Sequence, residues 1–128
     1  MGSRLYLRHC RTNNIWFWIV GNRQNPGHFE QIVLLALLRL GPSAYGVTIH
    51  REIGERTGND ASIGAVYTTL SRLEEKGYVK SRMGEPTEER GGRAKKYFAI
   101  TGAGQLALHR AEDELRAMRE GLGDVQPA

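Results

Sequence analysis

The sequence predicts a mainly α-helical fold with one small β-hairpin (α+β). Three segments between residues 29 and 76 have apolar side chains at helical spacing, and each of them is followed by a glycine that ends the predicted helix. Two short stretches of alternating side chains then flank a charged, glycine-bearing turn. A further amphipathic segment follows Thr101. A chain of 128 residues with 40% apolar content is long enough for one such domain and short for two.

The first two helices are predicted from their apolar spacing and their stop signals. "FEQIVLLALLRLG" is apolar nearly all round from residue 32 to residue 40, and Gly41-Pro42 ends it, which is typical of a buried helix. A second, shorter helix ends near Gly58 and carries its apolar side chains at Val47, Ile49 and Ile53. Glycine inside a helix costs about 1 kcal/mol relative to alanine, so Gly46 indicates close packing.

The third helix has the most informative pattern. "NDASIGAVYTTLSRLEEKG" predicts a helix that Ser62 caps and Gly77 ends. Its buried face is predicted to consist of Ile63, Val66, Tyr67, Leu70 and Leu73. The opposite face presents Ala65, Thr68, Arg72 and Lys76. This outer face has no carboxylate before Glu74, and its small, hydroxylated and basic residues suit close approach to phosphates and base edges in a major groove.

The hairpin is predicted from "YVKSRMG" and "AKKYFAI", which the turn "EPTEERGGR" connects. Gly91-Gly92 lets the backbone turn tightly and approach another surface without a Cβ in the way. The basic residues at the tip and base of the hairpin can reach phosphates beside a groove; they are Arg90, Arg93, Lys95 and Lys96. Three acidic residues of the same turn, Glu85, Glu88 and Glu89, favour the alternative of a solvated loop.

The last helix begins near Thr101 and has a coiled-coil-like seam. Its apolar positions alternate spacings of three and four: Leu108, Ala111, Leu115, Met118 and Leu122. Apart from this seam, the predicted helix is polar and has no other apolar face with which to pack. The pattern therefore favours a seam shared between two chains, and the alternative is that it packs on the core of its own domain.

Three helices, a hairpin and a final helix are, in that order, the elements of a winged helix-turn-helix with a C-terminal dimerisation helix. The stretches "LLALLRLGPSAYGVTI", "GAVYTTLSRLEEKGYVKSR" and "GGRAKKYFAITGAGQLAL" resemble, in order and spacing, three signatures of the PadR-like family of bacterial transcriptional regulators. The resemblance covers about residues 29–120, and "VYTTLSRLEEKGYV" is its most specific part.

The resemblance implies a homodimer that binds a pseudo-palindromic operator in double-stranded DNA, usually as a repressor. It also implies that the helix after the wing supplies dimer contacts and that small phenolic or drug-like effectors can relieve repression. Tyr67 and Thr68 then lie in the recognition helix, and Arg93, Lys95 and Lys96 belong to the wing and its returning strand. The complete set of candidate DNA-binding residues is Ser62, Ala65, Tyr67, Thr68, Arg72, Lys76, Arg90, Arg93, Lys95 and Lys96.

The charge of the chain is informative only where it is local. The formal net charge is +4, but four arginines and no acid lie in residues 1–25, and residues 26–128 hold equal numbers of basic and acidic side chains. Within them, residues 62–100 carry eight basic and five acidic side chains, which favours a surface for DNA. The zero net charge of residues 26–128 as a whole favours the alternative function, a winged-helix module that binds another protein and no DNA.

The predicted organisation is an N-terminal extension (1–25), a winged-helix domain (26–100), a dimerisation helix (101–123) and a tail (124–128). We expect the extension to be poorly ordered; its aromatic residues 16–18 are alternatively a sticky patch or a ligand contact. The apolar run of residues 15–20 is too short to span a bilayer, so we expect a cytoplasmic protein with no membrane partner. Tyr45 has two interpretations, a phosphate contact through its hydroxyl or packing between helices, and packing is favoured.

The sequence also lacks the patterns of a cofactor, metal or catalytic site. Its single cysteine, Cys10, excludes an intrachain disulfide and argues against a thiolate metal site, and its four histidines have no ligand-like spacing. No glycine-rich phosphate loop or nucleophile–base signature is present. The predicted protein is therefore not an enzyme and needs no cofactor.

Overall fold

The computed structural model describes residues 25–85 and 94–124, and its mainly α-helical fold with a two-stranded antiparallel hairpin confirms the predicted fold class. The extension up to residue 24, the hairpin residues 86–93, which include Arg90 and Arg93, and the tail residues 125–128 lie outside the described residues. The helices are α1 (His28–Leu40), α2 (Gly46–Thr57), α3 (Ile63–Glu75) and α4 (Gly102–Arg119). A 3-10 turn (Gly41–Ser43) follows α1, and the strands are β1 (Val79–Met83) and β2 (Lys96–Ile100).

The core is formed around α1, which packs against the other three helices and β2. The predicted burial of this helix is met on one side only: Val33, Leu34, Ala36 and Leu37 are buried. Leu35 and Leu38 are 40% and 48% exposed, because none of the other described elements covers that side. Fully buried side chains come from α1, α2 and α3; the largest are Leu34, Ile49, Leu70, Leu73, Val33 and Val66. Burial of this many aliphatic side chains supplies most of the favourable free energy of folding.

Helix α3 begins as predicted and differs from the prediction in which side chains it buries. The Ser62 hydroxyl accepts a hydrogen bond from the Ala65 amide at 3.1 Å, which confirms the predicted N-cap. The buried residues are Val66, Thr69, Leu70 and Leu73, whereas Ile63 and Tyr67 are 39% and 46% exposed. Thr69 is buried at little cost because its hydroxyl donates to the Ala65 carbonyl oxygen at 2.8 Å.

The two strands pair in antiparallel register, with Val79 opposite Ile100 and Arg82 opposite Tyr97. The segment between α1 and α2 joins this sheet at its edge. There the Phe98 amide donates to the Ala44 carbonyl oxygen at 2.9 Å, and Tyr45 forms an isolated bridge with Tyr97. The hairpin is therefore attached by backbone contacts to the residues just before α2, as well as to the helices that precede and follow it in the chain.

Helix α4 begins at Gly102 behind an N-cap of Thr101, whose hydroxyl accepts from the Gly104 amide at 3.0 Å. It ends at Arg119 and not at residue 123, so the predicted dimerisation helix is four residues too long. The physical reason is local: Gly121 and Gly123 both have positive φ angles, which are typical of a chain leaving a helix. Leu122 consequently lies beyond the helix.

Within residues 25–85 and 94–124, none of the helices combines the length and the apolar character that crossing a membrane requires. The same residues contain no cluster of three or more histidine, cysteine, aspartate or glutamate side chains that could hold a metal ion.

Candidate nucleic-acid interface

The outer face of α3 is an exposed surface of small, hydroxylated and basic side chains. Ser62, Ala65, Thr68 and Arg72 are all exposed, where the sequence pattern places them. Ser71 is exposed on the same helix and was not among the predicted site residues. Its signal was present in the sequence, since Ser71 lies three residues after Thr68. Hydroxyl and guanidinium groups on a helix without bulky neighbours can approach base edges and phosphates closely.

Tyr67 lies beside this face and against the start of α2. Its phenol ring packs on Gly46, the first residue of α2, so closely that a Cβ at Gly46 would overlap the Tyr67 hydroxyl and ring. The close packing predicted at Gly46 is therefore confirmed. Tyr67 thus joins α3 to the N-terminal end of α2 while almost half of its surface stays accessible.

Lys76 is not on the exposed face where its helical spacing predicts it. Its ammonium group donates to both carboxylate oxygens of Glu30, at 2.7 and 3.0 Å, and its side chain is only 22% exposed. The Glu30 carboxylate also accepts from the Gly27 amide at 2.7 Å. The reason for the difference is that Lys76 is the C-cap residue of α3, from which its side chain reaches Glu30 in the first turn of α1. Its charge is used to hold α3 on α1.

A second carboxylate joins α3 to the hairpin. Glu74 accepts a hydrogen bond from the Ser81 hydroxyl at 2.6 Å, and its other oxygen lies 3.9 Å from the Lys96 ammonium. Ser81 and Lys96 are on β1 and β2, so one side chain of α3 contacts both strands. Lys96 remains half exposed, at 50%, and its ion pair is long. These contacts attach the hairpin to the C-terminal end of α3.

Two cations at the base of the hairpin lie over aromatic rings. The Lys95 ammonium is 4.4 Å from the centroid of the Tyr45 ring, and the Arg82 guanidinium is 4.7 Å from that of Tyr97. Both cations are exposed. Arg82 was not among the predicted site residues, although the strand alternation puts it on the same side of β1 as Lys80.

Tyr45 packs, as its favoured interpretation predicts, but against the hairpin and not between helices. Its ring meets that of Tyr97 edge to face, with centroids 5.5 Å apart and planes at 77°. The Tyr45 hydroxyl lies 3.4 Å from the Lys95 ammonium, a long hydrogen bond. Tyr45 is therefore part of the contact between the hairpin and α2.

Other cations of the described chain are held by carboxylates elsewhere in the structure. Arg39 and Arg56 both donate to the same oxygen of Glu52 at 3.0 Å, which joins α1 to α2. Hydrogen bonds from Arg56 and Arg39 hold the pKa of the Glu52 carboxyl below its ordinary value. On α4, Arg116 donates to Asp113 at 2.6 Å. These pairs are exposed and contribute little stability, but they identify basic groups that already have acidic partners.

The predicted dimerisation residues divide into two groups. Leu108 is buried in the core of its own domain, and Ala111 is partly buried. Leu115 and Met118 are exposed at 60% and 78%, and Leu122 is 61% exposed beyond the end of α4. The structure thus separates an inward half of the seam from an outward half with large apolar side chains in solvent.

The chain resembles known proteins over most of the described domain. Residues 34–110 match the family model of the transcriptional regulator PadR-like family. A PadR family transcription regulator from Clostridium difficile is 26% identical, with a TM-score of 0.58, over 72% of this chain and 92% of the other. A transcriptional regulator structure from Thermoplasma acidophilum is also 26% identical, with a TM-score of 0.56, over 74% of this chain and 93% of that chain.

A PadR-like transcription factor from Bacteroides fragilis shares the fold, with a TM-score of 0.63 and 23% identity over 80% of this chain and 94% of that chain. No curated protein sequence matches the chain significantly.

Proposed function

Because this chain belongs to the PadR-like family of transcriptional regulators, we propose that it is a sequence-specific DNA-binding repressor. The observation that carries the proposal is the exposed face of α3, which presents Ala65, Thr68 and Arg72 beside a hairpin with two exposed cations at its base. In this arrangement α3 enters the major groove and reads base edges, while the hairpin contacts phosphates. The predicted hairpin contacts Arg90 and Arg93 remain part of the proposal.

The test is an equilibrium titration of the purified protein against its own upstream DNA, with unrelated DNA of equal length in parallel, at several salt concentrations. Tight and salt-sensitive binding to the upstream DNA alone is the result expected of an autoregulating repressor. Equal, weak binding to both DNAs would contradict sequence specificity. Absence of binding at low salt would favour the alternative function, a winged-helix module that docks on another protein.

Arg72 gives the sharpest prediction about the recognition helix. Arg72→Ala should weaken the complex with the operator by about 1–3 kcal/mol if the guanidinium reads a base, because that contact is lost only at the correct sequence. Affinity for unrelated DNA should change much less. The measurement is the ratio of the two dissociation constants at one salt concentration.

The matched control is Arg56→Ala, which removes the same charge from α2, where Glu52 already holds it. It should leave the ratio unchanged. An equal loss on both DNAs in Arg72→Ala would instead make Arg72 a phosphate contact without sequence preference.

We also propose that two copies associate through the outward half of α4. The support is that Leu115 and Met118 expose large apolar side chains on a helix whose buried residues all lie in its first half. A second copy would cover them, and a dimer would present its two α3 helices to successive major grooves, about 34–36 Å apart. The core contacts of Leu108 leave it inside its own domain.

Replacement of both Leu115 and Met118 by aspartate should convert a dimer to a monomer, because it places unpaired charges in an apolar interface. Sedimentation velocity measures the change directly. Operator affinity should fall strongly, since the two half-sites are then bound independently. A wild-type protein that sediments as a monomer at tens of micromolar would contradict the proposal.

An aromatic effector is the remaining part of the proposed function. The support is an open groove of about 570 Å³ between the end of α1 and the outer side of the hairpin, a size that suits a small ligand. Its lining combines apolar side chains with the ring of Tyr97 and the cations of Lys80 and Arg82. Release of bound operator DNA by an added phenolic acid, but not by an aliphatic acid of equal charge, is the expected outcome in the same titration.

A further inference from the structure

Four side chains at the base of the hairpin form a continuous stack of cation, ring, ring and cation. Arg82 lies over the Tyr97 ring, Tyr97 meets Tyr45 edge to face, and Lys95 lies over the other ring. Each contact is within the range at which cations and rings attract one another. The stack joins β1, the start of β2 and the residue before α2.

The backbone fixes the two rings of this stack, which we call the Tyr45–Tyr97 pair. Tyr45 and Tyr97 are bridged through their main chains, and Arg82 is the register partner of Tyr97. Gly84 is packed against the Tyr97 ring, because a Cβ there would overlap that ring. The Gly84 amide donates to the Lys95 carbonyl oxygen at 2.7 Å, which extends the strand pairing to the residue that carries the second cation.

The two cations of the stack differ from Lys76 and Lys96 in that those two lysines form ion pairs. Lys76 forms an ion pair with Glu30, and Lys96 forms one with Glu74. Among the described residues, no carboxylate lies within ion-pair distance of Arg82 or Lys95. An aromatic ring restrains a cation without cancelling its charge, so the ring contact leaves each group able to attract an anion. Both are also exposed, so their N–H groups can still donate.

We propose that the Tyr45–Tyr97 pair is a positioning element that holds Arg82 and Lys95 as two DNA phosphate contacts at the base of the hairpin. This inference rests on the proposed DNA binding. Restraint before binding lowers the entropy that each long side chain loses in the complex. Phosphate contacts carry no sequence information, so the stack contributes affinity to every DNA and leaves the choice of sequence to α3.

The first experiment compares Arg82→Gln and Lys95→Gln with wild type in DNA titrations over a series of salt concentrations. Each variant should weaken binding to operator and to unrelated DNA alike, and should lower the slope of log affinity against log salt by about 0.9, the value for one phosphate contact. Arg56→Gln is the matched control, because it removes one charge already held by Glu52 on α2. Its slope should equal that of wild type.

The second experiment tests the rings with a double-mutant cycle. Tyr97→Leu keeps both cations but removes the ring on which Arg82 lies. It should therefore weaken DNA binding by about threefold or more, with no change in the slope of log affinity against log salt. Tyr97→Phe, which keeps the ring, should restore the affinity. In an Arg82→Gln background the cost of Tyr97→Leu should be smaller, because the side chain that it positions is already absent. A purely structural role would give the same cost in both backgrounds.

The possible failures are distinguishable. If wild type binds DNA while Arg82→Gln and Lys95→Gln match Arg56→Gln in affinity and slope, the phosphate contacts are refuted and the proposed function stands. If the slopes fall but the cycle is additive, the positioning role of the Tyr45–Tyr97 pair is refuted. A wild-type protein that binds neither DNA at low salt refutes the proposed function and this inference with it.

Discussion

Leu70→Ala should lower the free energy of unfolding by about 2–5 kcal/mol. Leu70 is fully buried on the inner face of α3 and belongs to the core formed with α1 and α2. Its truncation removes apolar contacts and leaves a cavity that three packed helices cannot fully close. Urea unfolding measures the change as a shift in the midpoint at constant slope, with protein concentration held fixed because association would add to the apparent stability.

Leu38→Ala is the control for this prediction. It makes the same chemical change on α1, but Leu38 is 48% exposed, so the free energy of unfolding should change far less. Comparable losses in the two variants would show that the packing of α3 on α1 is not as described. DNA affinity of the folded Leu70→Ala protein, measured well below its melting temperature, should stay near wild type because the outer face of α3 is unchanged.

Gly104→Ala should be the second strongly destabilising change, at about 1–3 kcal/mol. The new Cβ would overlap the carbonyl oxygen of Tyr78 and crowd the side chain of Ile100. The Tyr78 carbonyl cannot move aside freely, because it accepts the Thr101 amide at 2.9 Å. Since glycine is the poorer helix former, alanine would otherwise stabilise α4, and the expected sign is therefore opposite to that of helix propensity. Thermal unfolding should show a drop of several degrees.

Gly102→Ala is the matched control on the same helix. A Cβ at Gly102 meets no atom within 4 Å, so this substitution should leave the melting temperature unchanged or raise it slightly. If both variants were equally stable, α4 would not pack on the start of β1 as the structure shows.

The features that the sequence predicts well are those that depend on residues close together in the chain. Periodic apolar spacing located all four helices, and the cap at Ser62 follows from a hydroxyl side chain directly before that spacing. The last helix begins near Thr101, as predicted. Alternation located both strands. The exposed positions of Ala65, Thr68 and Arg72 follow from helical geometry alone.

The contacts between distant residues could not be predicted in this way. Glu30 and Lys76 are 46 residues apart, and no helical or strand pattern in the sequence indicates that they form an ion pair. Lys95 and Tyr45 are 50 residues apart and meet only because the hairpin folds back on the start of α2. Tyr67 fits an apolar helical face by spacing, yet a glycine on α2 decides where its ring lies. Tertiary packing overrides the local pattern at these positions.

The junction between β2 and α4 has a mechanical consequence. A single residue, Thr101, separates the strand from the helix. Its amide donates to the Tyr78 carbonyl oxygen and its hydroxyl to that of Gly77, at 2.9 and 2.7 Å, so both strands of the hairpin are tied to the root of α4. Gly104 also packs directly against the Tyr78 carbonyl group, which leaves no space for α4 to rotate relative to the hairpin at this point. We therefore expect the hairpin and the first turn of α4 to move together as one unit.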